Sequence, residues 1–316
     1  LSLLNDQRSM EIFRNLEGFG HPAAPVVALG NFDGVHVGHQ AILRIAIDRA
    51  RALRGSAFAL TFDPLPAKVL TPERAPRMIL TGEDKAELLR TSGIDGVIVL
   101  TFTLELSRLS PREFAREYLR KQIDARAVVV GSNVSFGHQR AGDSSTLVAL
   151  GRELGFEAIV VSPVKLGDTE VSSTCVRETI ATGDLRHAAR MLGRYHFLSG
   201  PVVHGRERGR TIGFPTANLQ PRTECLPPDG VYATRTVLAD GVFQSITNIG
   251  MRPTFAEPER TFETHIFDFD RDLYDQEIKL ELIERIRPER KFASAQELAA
   301  QIAADLKRAK EILVTA

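Results

Sequence analysis

The run Val26-Val27-Ala28-Leu29-Gly30-Asn31-Phe32-Asp33-Gly34-Val35-His36-Val37-Gly38-His39-Gln40 decides the fold of the first half of the chain. Four apolar residues lead into a glycine-bearing turn. Helical spacing starts just beyond it, with Leu43, Ala46, Ile47 and Ala50 in an i, i+3, i+4, i+7 series. A short strand buried on both faces that feeds a helix through such a turn opens a parallel-sheet fold. The head of that helix offers free backbone N–H groups and the positive end of a dipole, which suits phosphate. Glycines at 30, 34 and 38 let a ligand approach the backbone closely. His36 and His39 are three residues apart and can point to one side of the first helical turn. Imidazoles there would stabilise charge on a departing pyrophosphate. Two other readings of the run are a tight turn with histidine caps, and a zinc site. The second lacks a ready third ligand nearby, although Asp33 could serve.

Outward from this run, the same pattern repeats. Apolar stretches at Ala57–Phe62, Val97–Leu100, Ala127–Val130 and Ala158–Val161 are short and bounded by Gly, Asp, Pro or charge. Helical patterns separate them, one opened by Ser110-Pro111 and running to about Ile123. This predicts a doubly wound parallel sheet with helices on both faces and ligands beyond the C-terminal strand ends.

The second half changes character. After a helix carrying Leu185, Ala188, Ala189 and Leu192, strand signals occur at Phe197–His204, Val231–Val237, Val242–Ile249, Thr261–Phe269 and Glu277–Ile286. Turn residues separate them, among them Pro227-Pro228-Asp229-Gly230 and Ala239-Asp240-Gly241. The expectation is a small antiparallel β-barrel. One amphipathic helix closes the chain, with Leu298, Ile302, Leu306, Ala309 and Leu313 on one side. The fold class is thus α/β plus all-β, with domains over residues 1–186 and 187–316 and a seam near Thr182–Arg194.

Bulk composition agrees with two globular domains. The chain has 316 residues, more than one ordinary core needs. Lys plus Arg and Asp plus Glu are 40 each, so no global field points to nucleic acid or an anionic membrane as partner. Cys175 and Cys225 form no disulfide framework. No apolar stretch approaches the roughly 20 residues that span a bilayer, and Leu1–Arg14 mixes charge into its apolar residues unlike a signal-peptide core. The expected location is the cytoplasm.

Two further stretches carry chemistry. Val171-Ser172-Ser173-Thr174-Cys175-Val176-Arg177 sets hydroxyls at a helix start and a guanidinium one turn on, able to clamp phosphate oxygens. His204 to Leu219 holds three glycines and three arginines within residues 205–213, including Gly205, Arg210 and Gly213, and then Pro215-Thr216-Ala217-Asn218. A loop of that kind folds over phosphates or is a solvated basic hairpin tip. Thr216 and Asn218, two apart in an extended segment, put neutral oxygens on one side, a donor type that Mg²⁺ accepts beside nucleotide phosphates.

The Val26–Gln40 run together with residues 171–177 resembles the nucleotidylyltransferase superfamily. That resemblance implies ATP binding by Gly30, Asn31, Phe32, Gly34, Gly38, Ser173, Thr174 and Arg177, with His36 and His39 as catalytic residues and no covalent enzyme intermediate. Closer still is the adenylyltransferase module of bacterial bifunctional riboflavin kinase/FAD synthetases. This match is carried also by Thr61-Phe62-Asp63-Pro64-Leu65-Pro66 and by Val129–Gly137 with Arg140 and Gly142. It implies flavin contacts at Phe62 and Asn133. Leu65 stands where that family usually has His, and Val134 where it usually has an aromatic.

Gly213-Phe214-Pro215-Thr216-Ala217-Asn218, Asn248 to Phe255, and Thr261 to Phe269 with Leu273-Tyr274 resemble the riboflavin kinase domain. The resemblance implies Glu263 as the base that takes the proton from the ribityl hydroxyl, Mg²⁺ with ATP at Thr216 and Asn218, and flavin contacts at Arg252 and Phe269. On an alternating strand Glu263 shares a face with His265, Phe267 and Phe269, a partly apolar setting. The implied substrates are riboflavin, FMN and ATP, with FMN and FAD as products. A kinase with an idle N-terminal domain and a non-catalytic flavin sensor are the alternatives. The Glu263, Thr216 and Asn218 set argues against the sensor.

Overall fold

A computed structural model describes residues 11–205, 214–252 and 259–315, with the side chains of Arg252, Glu259 and Ala295 outside that description. The chain divides into two compact units, one of residues 1–76 and 82–172, the other of residues 77–81 and 173–316.

The first unit is built on six parallel strands: β1 (Glu11–Arg14), β2 (Val26–Leu29), β3 (Ala57–Asp63), β4 (Gly96–Thr101), β5 (Ala127–Gly131) and β6 (Glu157–Val161). They lie in the order β1-β4-β3-β2-β5-β6. Between them run α1 (Val37–Ala52), α2 (Pro66–Leu70), α3 (Gly82–Thr91), α4 (Leu104–Ser107), α5 (Pro111–Phe114) and α6 (Ser144–Leu154). Every residue of β2 is buried, as a central strand covered on both faces requires. From β2 the chain steps to β3 and β4 on one side, then returns to β5 and β6 on the other. The order therefore reverses between β2 and β5, and a crevice opens beyond their C-terminal ends.

Five strands, β2 to β6, match the apolar runs read from sequence to within a residue at each end, and β1 is an added edge strand whose residues are mostly exposed. The helix opened by Ser110 carries a full capping box with Glu113, then winds through residues 115–122 in the wider π form. A two-stranded ribbon of β7 (Lys165–Leu166) and β8 (Thr169–Glu170) completes this unit.

The second unit holds α7 (Ser173–Thr182), α8 (Leu185–Leu192) and a closed antiparallel barrel. Its strands are β9 (His196–Val203), β10 (Ala217–Leu219), β11 (Gly230–Leu238), β12 (Gly241–Arg252), β13 (Glu259–Ile266) and β14 (Glu277–Pro288), ordered β10-β13-β12-β11-β14-β9. Closure removes every free edge. Leu198, Tyr232, Ile249, Phe262 and Leu280 fill the inside. Fully buried hydroxyls also line it, and they satisfy one another. Thr234 meets Ser245 at 2.8 Å and Thr247 at 3.0 Å, and Thr247 meets Thr264 at 2.9 Å.

The C-terminal helix (Ala295–Val314) covers part of the outer wall, packing Ala309, Ile312 and Leu313 on Val231, Ala233, Ile246 and Ile283. Leu298, Ile302 and Leu306 are only half-buried, so the deep contacts belong to its C-terminal half. Buried Asp305 pairs there with Arg287. The run predicted as a strand to Phe269 ends at Ile266. Asp268 takes a φ of 51°, a left-handed conformation that a strand cannot continue through.

Candidate active sites

The turn after β2 is tightly wound. Phe32, Gly34 and Val35 have φ of 51°, 85° and 42°. Such values are unusual for Phe and Val and persist only where surrounding structure holds them. The phenyl ring of Phe32 is fully buried and meets the His39 ring edge-on at 5.3 Å. Phe32 therefore supports a histidine with its side chain, and only its backbone is left for a phosphate. Asn31 is exposed, and its carbonyl accepts from the Thr61 hydroxyl at 3.0 Å.

His36 caps α1. Its Nδ1 accepts the His39 backbone N–H at 3.3 Å, which places the ring proton on Nε2. The His36 and His39 rings stack at 3.6 Å with a 19° interplanar angle. Gly38 makes this possible, because a Cβ there would lie 3.1 Å from Cε1 and Nδ1 of His36. Burial, then the neighbouring His36 and Lys85 charges, hold His39 well below the usual histidine range. Its Nδ1 is buried without a hydrogen-bond partner, although the residue keeps some accessible surface. His39 is thus held as a neutral imidazole at the head of a helix, beside the switch point of the sheet.

The residues expected to contact the flavin lie at the C-terminal ends of β3 and β5, the strands on either side of β2. Phe62, the penultimate residue of β3, meets Phe102 edge-on at 5.7 Å and Phe114 at 6.3 Å. Asn133 is exposed two residues past β5. Leu65 is buried, and Val134 packs against the main core, so both departures from the family pattern are packed apolar side chains. Ser173, Thr174 and Arg177 begin α7 in the second unit, where Arg177 Nε donates to the Arg77 carbonyl at 2.9 Å.

In the barrel, Asn218 of β10 lies opposite Glu263 of β13, and Asn248 of β12 lies opposite Glu263 from the other side. Opposed residues of antiparallel strands point to the same face. Phe262 and Thr264 point inward and are buried, so the row Asn218, Glu263, Asn248 is on the outer wall. Thr216 precedes β10 instead of sharing its strand with Asn218. Its segment is held to β13 by His265, whose Nδ1–H donates to the Pro215 carbonyl at 2.8 Å, and whose ring meets Phe214 edge-on at 5.7 Å.

Gly205 backs onto Asn218. A Cβ at 205 would fall 2.2 Å from Nδ2 and 2.8 Å from Oδ1. Phe267 shares the outer cluster, as alternation predicts. Phe269 does not: beyond the strand end it turns to Phe243 at 5.2 Å and lies under the Arg271 guanidinium at 4.7 Å. Arg210, Gly213 and the Arg252 side chain lie outside the described residues.

Sequence reading placed Asn248 only within the Asn248–Phe255 run and gave it no role, since no spacing separates it from an ordinary strand amide, and it passed over Lys85, whose helical position looks like a solvated charge. Among the described residues no group of three or more His, Cys, Asp or Glu could hold a metal ion, which leaves the zinc alternative without support.

A histidine pair at a switch-point helix and a Thr, Asn and Glu group on a closed barrel fit a two-site, nucleotide-handling transferase. Residues 20–175 match the FAD synthetase family and residues 192–313 the riboflavin kinase family. The bifunctional riboflavin kinase/FMN adenylyltransferase of Escherichia coli K12 is 37% identical over 287 residues, 90% of this chain and 92% of that one. The Bacillus subtilis protein of the same name is 35% identical over 294 residues, 91% and 92% of the two chains. The chain belongs to the bifunctional riboflavin kinase/FMN adenylyltransferase family. A solved structure from Streptococcus pneumoniae, described as a macrolide-efflux protein, superposes with a TM-score of 0.86 at 31% identity, over 95% of this chain and 98% of its own. No described helix is long and apolar enough to cross a membrane.

Proposed function

We propose that the two reactions of the family are divided between the two units, with the residue roles as follows. The barrel moves the γ-phosphoryl group of ATP to the terminal ribityl hydroxyl of riboflavin. Glu263 accepts the hydroxyl proton as the oxygen attacks phosphorus. Thr216 and Asn218 would hold Mg²⁺ with the nucleotide. Their neutral oxygens fit the ion, and Asn218 stands opposite the carboxylate that must act beside it. When bound, the ion supplies positive charge to the phosphate oxygens. Asn248, on the other flank of Glu263, donates to the flavin hydroxyl or a phosphate oxygen and keeps the carboxylate aligned. Gly205, Arg210 and Gly213 are assigned to the phosphates, and Arg252 and Phe269 to the flavin.

The parallel-sheet unit joins FMN to AMP. The FMN phosphate oxygen bonds to the α-phosphorus as the bond to pyrophosphate breaks. His36 and His39, with the backbone of Gly30, Asn31, Phe32, Gly34 and Gly38, carry the charge that develops. Phe62 and Asn133 take the flavin. For Ser173, Thr174 and Arg177 the support is the motif alone. The work is set in the cytoplasm.

The observation that carries the kinase half is the Asn218–Glu263 pairing. The adenylyl half rests on the stacked histidines at the head of α1. The test is direct. Riboflavin with ATP and Mg²⁺ should yield FMN and then FAD, and FMN with ATP and Mg²⁺ should yield FAD and pyrophosphate. FMN formation without FAD from either start would leave only the kinase.

A further inference from the structure

Lys85 is a buried ammonium with no part in either set of roles above. It sits on α3 with 6% of its surface exposed. Its Nζ donates to the Thr61 hydroxyl at 3.3 Å, the Asn31 carbonyl at 3.4 Å and the Phe62 carbonyl at 3.4 Å. The Thr61 hydroxyl in turn donates to the same Asn31 carbonyl. Burying an ammonium is costly unless it is compensated. Here three oxygens do so, together with the fields of Asp63 and Asp33, which oppose the downward pull of burial on the Lys85 pKa.

The node joins two stretches that face different substrates. Asn31 belongs to the turn that leads to His36 and His39. Thr61 and Phe62 lie near the end of β3, just before its final residue, Asp63, and the aromatic cluster begins at Phe62. A side chain that merely fills space has no need to bind both. Were it only a filler, a Met or Leu at 85 would avoid the desolvation cost.

We propose that Lys85 is a positioning residue for adenylyl transfer. It holds the phosphate turn and the flavin edge of β3 at one mutual spacing, so that the FMN phosphate meets the α-phosphorus of ATP in line with the leaving pyrophosphate. Lys85 forms no bond to either substrate and transfers no proton. The proposal rests on the adenylyltransferase reading of the parallel-sheet unit.

The test uses the full chain with Lys85→Met, Thr61→Val and the double variant, and reads both activities. A misplacement of about 1 Å costs roughly a hundredfold in rate. Lys85→Met should therefore lower kcat for FAD formation from FMN by about that factor, with KM for ATP and FMN within roughly threefold of the parent. Thr61→Val should fall in the same direction by less. The double variant should fall little further than Lys85→Met, because both changes break one node. FMN formation from riboflavin should keep the parent rate.

A parent-like kcat in Lys85→Met, a rise in KM alone, or full additivity of the two changes would overturn the proposal. If Lys85→Met does not fold, Thr61→Val decides, and a parent-like kcat there overturns it. Absence of FAD from the parent chain would instead remove the adenylyltransferase reading, and this proposal with it.

Discussion

Asn218 and Glu263 face each other across the β10–β13 pair, on the outer wall of the barrel. Glu263 therefore has a carboxamide on each side, Asn218 and Asn248, and no acidic residue on the facing positions of either neighbouring strand. Glu263→Ala should lower FMN formation by about 10²- to 10⁴-fold, the range for a positioned general base. FAD formation from added FMN should stay at the parent rate. Separate assays from riboflavin and from FMN check this, and equal kinase rates in variant and parent would remove Glu263 as the base.

The contact of Gly205 with the Asn218 carboxamide leads to a second expectation. In Gly205→Ala the new methyl would fall 2.2 Å from Asn218 Nδ2, well inside contact distance, so the amide must swing away. Riboflavin kinase activity should drop at least tenfold and need a higher Mg²⁺ concentration for half-maximal rate. The Mg²⁺ titration is the check. An unchanged midpoint would mean that Asn218 does not bear on the ion.

The buried Asp305–Arg287 pair fastens the C-terminal helix to the barrel, with Oδ2 2.8 Å from a guanidinium nitrogen and side chains 5% and 17% exposed. Arg287 Nε also donates to Asp305 Oδ2 at 2.9 Å. Asp305→Ala leaves a largely buried guanidinium unpaired, which costs about 3 kcal/mol. Denaturant unfolding should show a lower midpoint with little change in slope. Replacing both partners by apolar residues should recover part of the loss.

His196 ties stability to pH. It is fully buried and donates from Nε2 to the Cys225 carbonyl at 2.9 Å. Burial, which outweighs that hydrogen bond and is helped by the Arg194 charge, pulls its pKa down to about 4. Between about 6.5 and 4 the unfolded chain holds a proton on this ring and the folded chain does not. Stability is therefore fully present above about pH 6.5 and is lost as pH falls towards 4, by about 3 kcal/mol in all. His196→Gln keeps a donor and removes the titration. Its stability should fall less than the parent's between pH 7.5 and pH 5, by about 2 kcal/mol. Equal losses in the two proteins would exclude His196 as a source.

The strands, most helices and the change from α/β to barrel near the middle of the chain follow from local pattern. Buried parallel strands read as unbroken apolar runs, and barrel strands are marked by alternation and turn residues. The helix cap at His36 and the glycine at 38 are local too, and so were legible in the Val26–Gln40 run. Relations between distant segments were not. That Asn248 flanks Glu263 depends on strand register, which pairs residues 15 positions apart and leaves no trace in spacing. Lys85 reads in sequence as one more charge on a polar helix. Only packing brings it under Asn31, Thr61 and Phe62, where desolvation and two carboxylates set its state. The same holds for residues 77–81 and 173–182, which cluster with the barrel unit although their pattern continues the α/β half. Period and turn chemistry are properties of a few adjacent residues. Burial of a polar group and cross-strand neighbours are properties of the folded chain.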